Sequence, residues 1–256
     1  MKFSIITPTY KRSVEVSHAI ESVLNQTYTN WEMIIVNDSP HDLSYAIAEN
    51  NIADPRIIYF KNEKNEGVNY SRNRALDNVS RDSNWVIFLD DDDYFAPDAL
   101  ASFHKLITEH PHKKWFVTNR AYRNGEALTR FPKNDHAYSY AWDYLILKKG
   151  KGDATHCIQT KLLSTIRFSK YLKQAEEWLF FFQVGLKSPL FYHSHNSTTT
   201  QGYDKSNGLN FRRRTKMEQL TVLRTIVTEG FQLHLFRHPS FIVYLFLRSV
   251  RMCIKS

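Results

Sequence analysis

Residues 85–93 read WVIFLDDDD, five apolar residues followed at once by four consecutive aspartates. An apolar run of this length that ends in charge predicts a buried β-strand stopping at the acidic residues. Adjacent carboxylates repel one another unless a cation lies between them. A hard divalent cation with oxygen ligands, Mn²⁺ or Mg²⁺, would remove that repulsion. The alternative is a solvated acidic loop, or the capped start of a helix that opens at Pro97.

Three further apolar runs precede this strand, at residues 3–7, 33–36 and 57–60. Segments with helical periodicity separate them, and apolar strands that alternate with helices indicate an α/β fold. The pattern predicts a mostly parallel, Rossmann-like sheet flanked by helices. Ligands bind beyond the carboxyl ends of such strands. We therefore expect the turns at residues 7–11, 37–40 and 90–93 to meet at one edge of the sheet.

The bulk composition is that of a packed globular protein. Of the 256 residues, 42% are apolar and 14% aromatic, which excludes a disordered chain. The two cysteines form neither a disulfide framework nor a zinc cluster and suit a reducing cytoplasm. The first residues lack the apolar run of a signal peptide. No stretch approaches the roughly 20 apolar residues that span a bilayer. We expect a soluble or peripheral protein.

The chain is basic, with a formal net charge of +8 at pH 7. Such a balance favours anionic partners: nucleic acid, phosphorylated substrates or lipid headgroups. The excess is concentrated late, in the cluster 212–216 and around the apolar run 241–247. We predict one domain over residues 1–205 and a basic, helical C-terminal extension over residues 206–256. This extension would either lie on an anionic membrane or pack against the domain.

Three polar positions outside the aspartate run suit a site for an anionic ligand. Asp38 follows the second strand and would accept from an imide N–H such as that of uracil, or close an Asx-turn. Arg72 lies near a predicted helix start, a position suited to a diphosphate or to an ordinary basic surface. Glu176 and Glu177 open an apolar helix, where partial desolvation would suit a general base. Favourable placement of carboxylates at a helix start explains this pair equally well.

Two histidines are candidate metal ligands, and several common nucleotide-binding and hydrolase motifs are absent from the sequence. His193 and His195 alternate as they would on a strand, and one histidine here would complete a metal site. No third histidine or cysteine has the spacing of a zinc site. The sequence contains no Walker P-loop, no dinucleotide-binding glycine fingerprint and no Gly-x-Ser-x-Gly elbow.

Four segments taken together resemble the family 2 glycosyltransferases. They are IITPTYKR at residues 5–12, VNDS at 36–39, NEGVNYSRN at 65–73 and FLDDDDYFAPDAL at 88–100. Each is weakly specific alone, but four in this order are a strong signal. The resemblance implies an inverting enzyme with the A-type nucleotide-sugar transferase fold. It covers residues 3–100 well and the later half loosely.

The resemblance also implies roles for the donor site. The residues that would bind the nucleotide-sugar are Thr7, Pro8, Thr9, Tyr10, Arg12, Asp38, Arg72, Asp90 and Asp91. Among these, Asp38 would hold the uracil, Arg72 would approach the base or diphosphate, and Asp90 would lie nearer the ribose. Asp92 would be the metal ligand, helped by His195. Asp91 and Asp93 would otherwise only tune the local field or cap the next turn.

The catalytic base is implied by the segment QAEEW at residues 174–178. It is similar to a family segment that ends in Glu-Asp, where the aspartate is the base. This sequence has Glu177 at that place, one methylene longer, with Glu176 as the fallback.

The expected function is sugar transfer, with Mn²⁺ or Mg²⁺, from a nucleotide-diphosphate donor such as a UDP-sugar. The acceptor would be a hydroxyl of a glycan or lipid-linked molecule in surface polysaccharide or lipopolysaccharide synthesis. A cytoplasmic location follows, at the inner face of the membrane if the extension binds lipid, and no nucleic acid partner is expected. Two alternatives are a sugar nucleotidyltransferase of related fold and a non-catalytic glycan- or nucleotide-binding relative.

Overall fold

A computed structural model describes residues 1–45, 51–122, 124–172, 177–194, 199–201 and 215–254. Ten strands are found in this part of the chain: β1 Phe3–Thr9, β2 Trp31–Asn37, β3 Ile57–Lys61, β4 Trp85–Phe88, β5 Asp93–Phe95, β6 Trp115–Ala121, β7 His136–Tyr138, β8 Ala154–Gln159, β9 Leu190–His193 and β10 Thr199–Gln201. The helices are α1 Ser13–Leu24, α2 Val68–Asp77, α3 Ala99–Glu109, a π-helix Tyr140–Ile146, α4 Trp178–Lys187, α5 Lys216–Gln232 and α6 Pro239–Ile254. Short 3₁₀ turns join several of them.

The strands form one continuous sheet in the order β3-β2-β1-β4-β8-β6-β10-β5. The first four are parallel, as the sequence predicts. Beyond β4 the sheet is mixed, because β8 runs antiparallel to both β4 and β6. β9 pairs with β6 and carries β7. The A-type arrangement expected from the resemblance is therefore a parallel half joined to a mixed half.

Alternate side chains of the parallel strands enter two separate cores, one on each face. Ile5 and its neighbour Ile87 pack with Phe103 of α3, in the core that also contains apolar residues of α1. Ile6 points the other way and joins the core formed with α2, α4 and the C-terminal helices. This period of two explains why strands covered on both faces are apolar throughout.

The C-terminal helices pack into the core that contains Ile6. Tyr244 of α6 lies 4.6 Å from Trp178 of α4 between ring centroids, and Phe241 lies 5.4 Å from Phe182. The boundary predicted at residues 205 and 206 falls outside the described residues, as does the arginine cluster 212–214. Within the described helices, none is long and apolar enough to cross a membrane. The ring contacts of Tyr244 and Phe241 show that one face of the extension packs against the domain.

Candidate active site

The turns that follow β1, β2 and β4 meet at one edge of the sheet, as the sequence predicts. The backbone N–H of Tyr10 donates to Asp91 Oδ2 at 3.3 Å. The backbone N–H of Lys11 donates to Ser39 Oγ at 2.8 Å, and Lys11 adopts a left-handed φ of 55° that bends the chain towards this partner. Three segments distant in sequence therefore share one surface at the carboxyl ends of the parallel strands.

The residues of the first turn differ in their exposure to solvent. Thr7 and Pro8 are buried within β1, whereas Tyr10 is 42% exposed. Thr9 Oγ1 lies 2.8 Å from the hydroxyl of Tyr45, and that hydroxyl also accepts from the backbone N–H of Arg12 at 3.0 Å. Thr9 and Arg12 are thus held in place by Tyr45, while Tyr10 points outward at the mouth of the site.

Asp38 binds the loop that begins α2. Its carboxylate accepts from the backbone N–H of Glu66 at 2.9 Å, from that of Gly67 at 2.8 Å and from Asn62 Nδ2 at 2.7 Å. Gly67 has a φ of +92°, a conformation that suits glycine. The Asx-turn here is made by Asn37, whose Oδ1 accepts from the backbone N–H of Ser39 at 2.7 Å. Asp38 therefore joins the second turn to the start of α2.

The four aspartates divide into a group of three and a separate residue. Asp90, Asp92 and Asp93 each present a carboxylate oxygen within 4.8 Å of the others. Asp91 lies outside this group, and it pairs with Arg12 at 3.0 Å. The sequence did not identify Asp93 as a member, because the directions of consecutive side chains at a strand end depend on the turn. His195, the other predicted ligand, lies outside the described residues.

Three arginines surround the acidic group. Arg12 Nη1 lies 2.7 Å from Asp92 Oδ2. Arg72 Nη2 lies 2.7 Å from Asp90 Oδ1. Arg120, which sequence reasoning missed, pairs with Asp93. Arg120 lies on β6 beyond the apolar run, so no periodicity marked it.

Burial and charge set the protonation of these carboxylates. Burial raises the pKa of Asp93 to about 7, although Arg120 opposes the shift. It also raises the pKa of Asp91 to about 7, against the pull of Arg12. At Asp90 burial acts in the same direction, but Arg72 and Arg120 outweigh it and leave the pKa lowered. The site carries more acidic groups than its arginines neutralise.

The three-aspartate group offers ligand atoms that suit a hard cation. All the ligand atoms are carboxylate oxygens, which Mn²⁺ and Mg²⁺ prefer. Asp93 Oδ1 is buried and has no hydrogen-bond partner among the described residues. A buried acceptor without a partner is costly unless something binds it. The residues therefore fit a divalent metal ion.

Glu177 lies across from this group and shares an arginine with it. Arg72 Nη1 donates to Glu177 Oε1 at 2.5 Å, while its Nη2 binds Asp90. The Arg72 side chain is only 6% exposed, but that of Glu177 is 47% exposed. The desolvation predicted from the neighbouring apolar residues is therefore limited, since Trp178 and Phe180 point inward. Glu176 lies outside the described residues.

The fold and this acidic edge define an α/β protein built like a nucleotide-sugar transferase. Residues 4–171, more than half of the chain, match the family described as Glycosyl transferase family 2. The chain belongs to that family.

Two curated relatives show where similar sequences are found. The Minor teichoic acid biosynthesis protein GgaA of Bacillus subtilis is 34% identical over 195 residues, which are 72% of this chain and 43% of GgaA. The GalNAc(5)-diNAcBac-PP-undecaprenol beta-1,3-glucosyltransferase of Campylobacter jejuni is 36% identical over 110 residues, 42% of this chain and 35% of that protein. The chain spans less than half the length of either relative.

A solved structure shows the same fold. Residues 1–349 of S. aureus TarS, in complex with UDP-GlcNAc, superpose with a TM-score of 0.74 at 24% identity. The match covers 90% of this chain and 66% of that one. At this identity the likeness establishes the fold.

Proposed function

We propose that this protein is an inverting glycosyltransferase that moves a sugar from a nucleotide-diphosphate donor to a hydroxyl of a glycan or lipid-linked acceptor. The observation that carries the proposal is the bridge formed by Arg72, which contacts Asp90 of the acidic group and Glu177 at once. A carboxylate that can take a proton thus lies next to a group that can hold a metal-bound diphosphate. The proposed transfer needs both.

The nucleotide would lie along the turns after β1 and β2. Thr9, Tyr10 and Arg12 line the first turn, and Asp38 lies in the second with Thr7 and Pro8 buried behind. Asp38 would bind the uracil through a lone pair left over from its three internal hydrogen bonds, because a carboxylate has about four acceptor sites. Asp90 would face the ribose, and Asp91 would keep Arg12 in position.

The leaving diphosphate would be held at the acidic group. Asp92, with Asp90 and Asp93, would hold Mn²⁺ or Mg²⁺, which when bound neutralises charge that develops on the leaving group. Arg12 and Arg72 add fixed positive charge at the same place. We retain His195 as a further candidate ligand.

Glu177 would act as the general base. Its carboxylate accepts only from Arg72 among the hydrogen bonds described, and its exposure leaves it open to an acceptor hydroxyl. Glu177 would take the proton from that hydroxyl as the hydroxyl oxygen attacks the anomeric carbon and the nucleotide diphosphate leaves. Because the attack comes from the face opposite the diphosphate, the configuration is inverted. Arg72 positions the base, and Glu176 remains the alternative.

The relatives support a surface polymer as the product. GgaA is named for minor teichoic acid biosynthesis, and the Campylobacter enzyme for an undecaprenol-linked acceptor. TarS binds UDP-GlcNAc in a chain of the same fold, so UDP-sugars are the first donors to test. A cytoplasmic site of action fits donors and acceptors of this kind.

The C-terminal helices support contact with a membrane surface. Ile242, Phe246 and Val250 form a stripe at every fourth position of α6 and are 50%, 67% and 37% exposed. Arg251 lies beside this stripe and is exposed. An exposed apolar stripe with basic neighbours suits an anionic bilayer. Binding to vesicles containing phosphatidylglycerol should weaken in Phe246→Ser, and equal binding by both proteins would remove this part of the proposal.

A panel of nucleotide-sugars tests the activity. The correct donor should raise the melting temperature in the presence of Mn²⁺, since only a bound ligand adds binding energy. Transfer to an acceptor extract should then fall at least 100-fold in Asp92→Asn and in Glu177→Gln, with donor binding retained in the second. Asp98→Asn is the matched control, because Asp98 is exposed and outside the acidic group.

The products separate the alternatives. Release of the nucleotide diphosphate with a glycosylated acceptor supports the proposal. Formation of a nucleotide-sugar from a nucleoside triphosphate would indicate a nucleotidyltransferase instead. Donor binding without turnover of any kind would indicate a binding protein.

A further inference from the structure

One stripe of α2 holds the segment that leads to Glu177. Asn69, Asn73 and Asp77 recur at every fourth position and therefore share a face of the helix. Asn69 contacts Ser169 and Leu172, Asn73 contacts Phe168, and Asp77 contacts Arg167. Successive turns of the helix thus bind successive residues of the segment 167–172, which runs in the opposite direction.

Asn73 makes a two-way contact with the backbone of Phe168. Its Nδ2 donates to the carbonyl oxygen at 2.9 Å, and its Oδ1 accepts from the backbone N–H at 2.8 Å. The amide therefore binds both backbone polar groups of residue 168, as a neighbouring strand would. The Phe168 ring stacks on Phe180 of α4, with 3.9 Å between centroids. Position 168 is thereby fixed by its backbone and by its side chain.

Asn69 closes the turn that follows. Its Nδ2 donates to the carbonyl oxygens of Ser169, at 3.0 Å, and Leu172, at 2.5 Å. Asn69 is 6% exposed and its bond to Leu172 is buried, so loss of this donor removes a partner from a buried carbonyl group. Glu229 of α5 accepts from Ser169 Oγ at 2.6 Å on the far side of the turn.

The same helix also holds the carboxylate of Glu177. Arg72 lies between the two asparagines in sequence and binds Glu177, five residues after Leu172. Asp38 binds the start of the helix through the N–H of Gly67. One rigid element is therefore attached to the nucleotide edge, to the segment before the base and to the base itself.

We infer that Asn69 and Asn73 are positioning residues that fix Glu177 relative to the acidic group. The inference rests on the proposed role of Glu177 as base. Misplacement of a catalytic group by about 1 Å can cost on the order of 100-fold in rate. Two amides that hold residues 168–172, shortly before the base in sequence, thus contribute to the rate without touching either substrate. A purely structural role would lower stability, but it would not produce a loss of kcat that depends on Glu177.

The test compares Asn69→Ala and Asn73→Ala with Asn78→Ala. Asn78 lies at the end of the same helix, is exposed, and its side chain donates to the carbonyl oxygen of Arg74. We expect kcat to fall 10- to 100-fold in the first two variants, with KM for the donor and thermal stabilisation by UDP within twofold of wild type. Asn78→Ala should keep the wild-type kcat.

A double-mutant cycle with Glu177→Gln provides the decisive readout. If the asparagines act through the base, then adding Asn73→Ala to Glu177→Gln should lower the residual rate less than twofold. An equal fold-loss in both backgrounds would overturn the inference, and so would a loss confined to UDP binding. Full activity of Glu177→Gln alone would instead refute the proposed base, and this proposal with it.

A milder variant keeps the test informative if the alanine variants unfold. Asn73→Asp retains an acceptor for the N–H of Phe168 but loses the donor to its carbonyl group. It should fall between wild type and Asn73→Ala in kcat, with the same dependence on Glu177. A wild-type kcat in folded Asn73→Asp would count against the inference.

Discussion

Arg12 and Asp92 lie 80 residues apart in sequence, yet Arg12 Nη1 is 2.7 Å from Asp92 Oδ2. The same nitrogen lies 3.0 Å from Asp91 Oδ1. One guanidinium thus pairs with two neighbouring carboxylates at the edge of the site. Arg12 therefore places a positive charge beside Asp92, the proposed metal ligand.

Replacing Arg12 should therefore make the stability of the protein depend more strongly on a bound metal ion. We expect Arg12→Ala to lose about 1–3 kcal/mol of stability without metal, because partly buried carboxylates lose their partner. Mn²⁺ should then raise its melting temperature by more than it raises that of the wild type. Thermal unfolding with and without Mn²⁺ measures both effects, and Arg81→Ala, an exposed arginine, is the control. An identical Mn²⁺ response in Arg12→Ala and wild type would contradict this prediction.

Replacing Asp38 should separate its structural contacts from nucleotide binding. Asp38→Ala removes the acceptor of three donors and should cost about 1–3 kcal/mol. Asp38→Asn keeps one oxygen and should lose less stability. Both variants should bind UDP at least tenfold more weakly by calorimetry, since neither presents a free carboxylate lone pair to the uracil. Wild-type UDP affinity in Asp38→Asn would show that Asp38 only stabilises the loop before α2 and does not bind the nucleotide.

His156 makes stability depend on pH. Burial, with a smaller contribution from Arg120, lowers its pKa to about 3; the ring accepts from Trp115 Nε1 at 3.1 Å and stacks on Phe181. Between pH 3 and about 6.5 the unfolded chain binds a proton that the folded chain does not, so stability falls as pH decreases through this window. Urea unfolding at pH 5 and pH 7 should show a smaller difference in His156→Gln than in wild type. His112→Gln, an exposed histidine, should leave the difference unchanged.

Gly230 tests how tightly the two helices of the extension pack against each other. A Cβ at this position would lie 2.7 Å from the ring of Phe241, which is fully buried. Although alanine favours a helix by about 1 kcal/mol, overpacking costs about 1–3 kcal/mol. We expect Gly230→Ala to lower the melting temperature, while the exposed Thr228→Ala changes it little. A rise in melting temperature would mean that α5 and α6 separate easily.

The parallel half of the fold was predictable because its signal is local. β1, β2 and β4 are covered on both faces, so each is apolar almost throughout and is visible in the sequence as an apolar run. The later strands β5, β7 and β10 have three residues each, too few to show a period, and they exist because distant partners complete them. The π-helix Tyr140–Ile146 had no sequence signal that we recognised.

The site was predictable to the level of segments and less so to the level of atoms. The acidic run and Glu177 could be named because each follows or begins a recognisable element. Asp93 and Arg120 could not be paired from sequence, since their contact depends on the mixed half of the sheet. An Asx-turn was one of two alternatives for Asp38; Asn37 makes that turn instead, and sequence does not separate the two because both side chains can close it.

The pairing of β5 with β10 has a consequence for how the protein is made. Asp93 begins β5, and Gln201, about a hundred residues later, is its register partner. Contacts of such long range form slowly, and a chain folds while it is still being synthesised. The scaffold of β1 to β4 can therefore assemble early on the ribosome, whereas the acidic turn gains its last neighbour only after residue 201 has emerged. A chain that ended before residue 199 would therefore lack the strand that pairs with β5 beside the acidic turn.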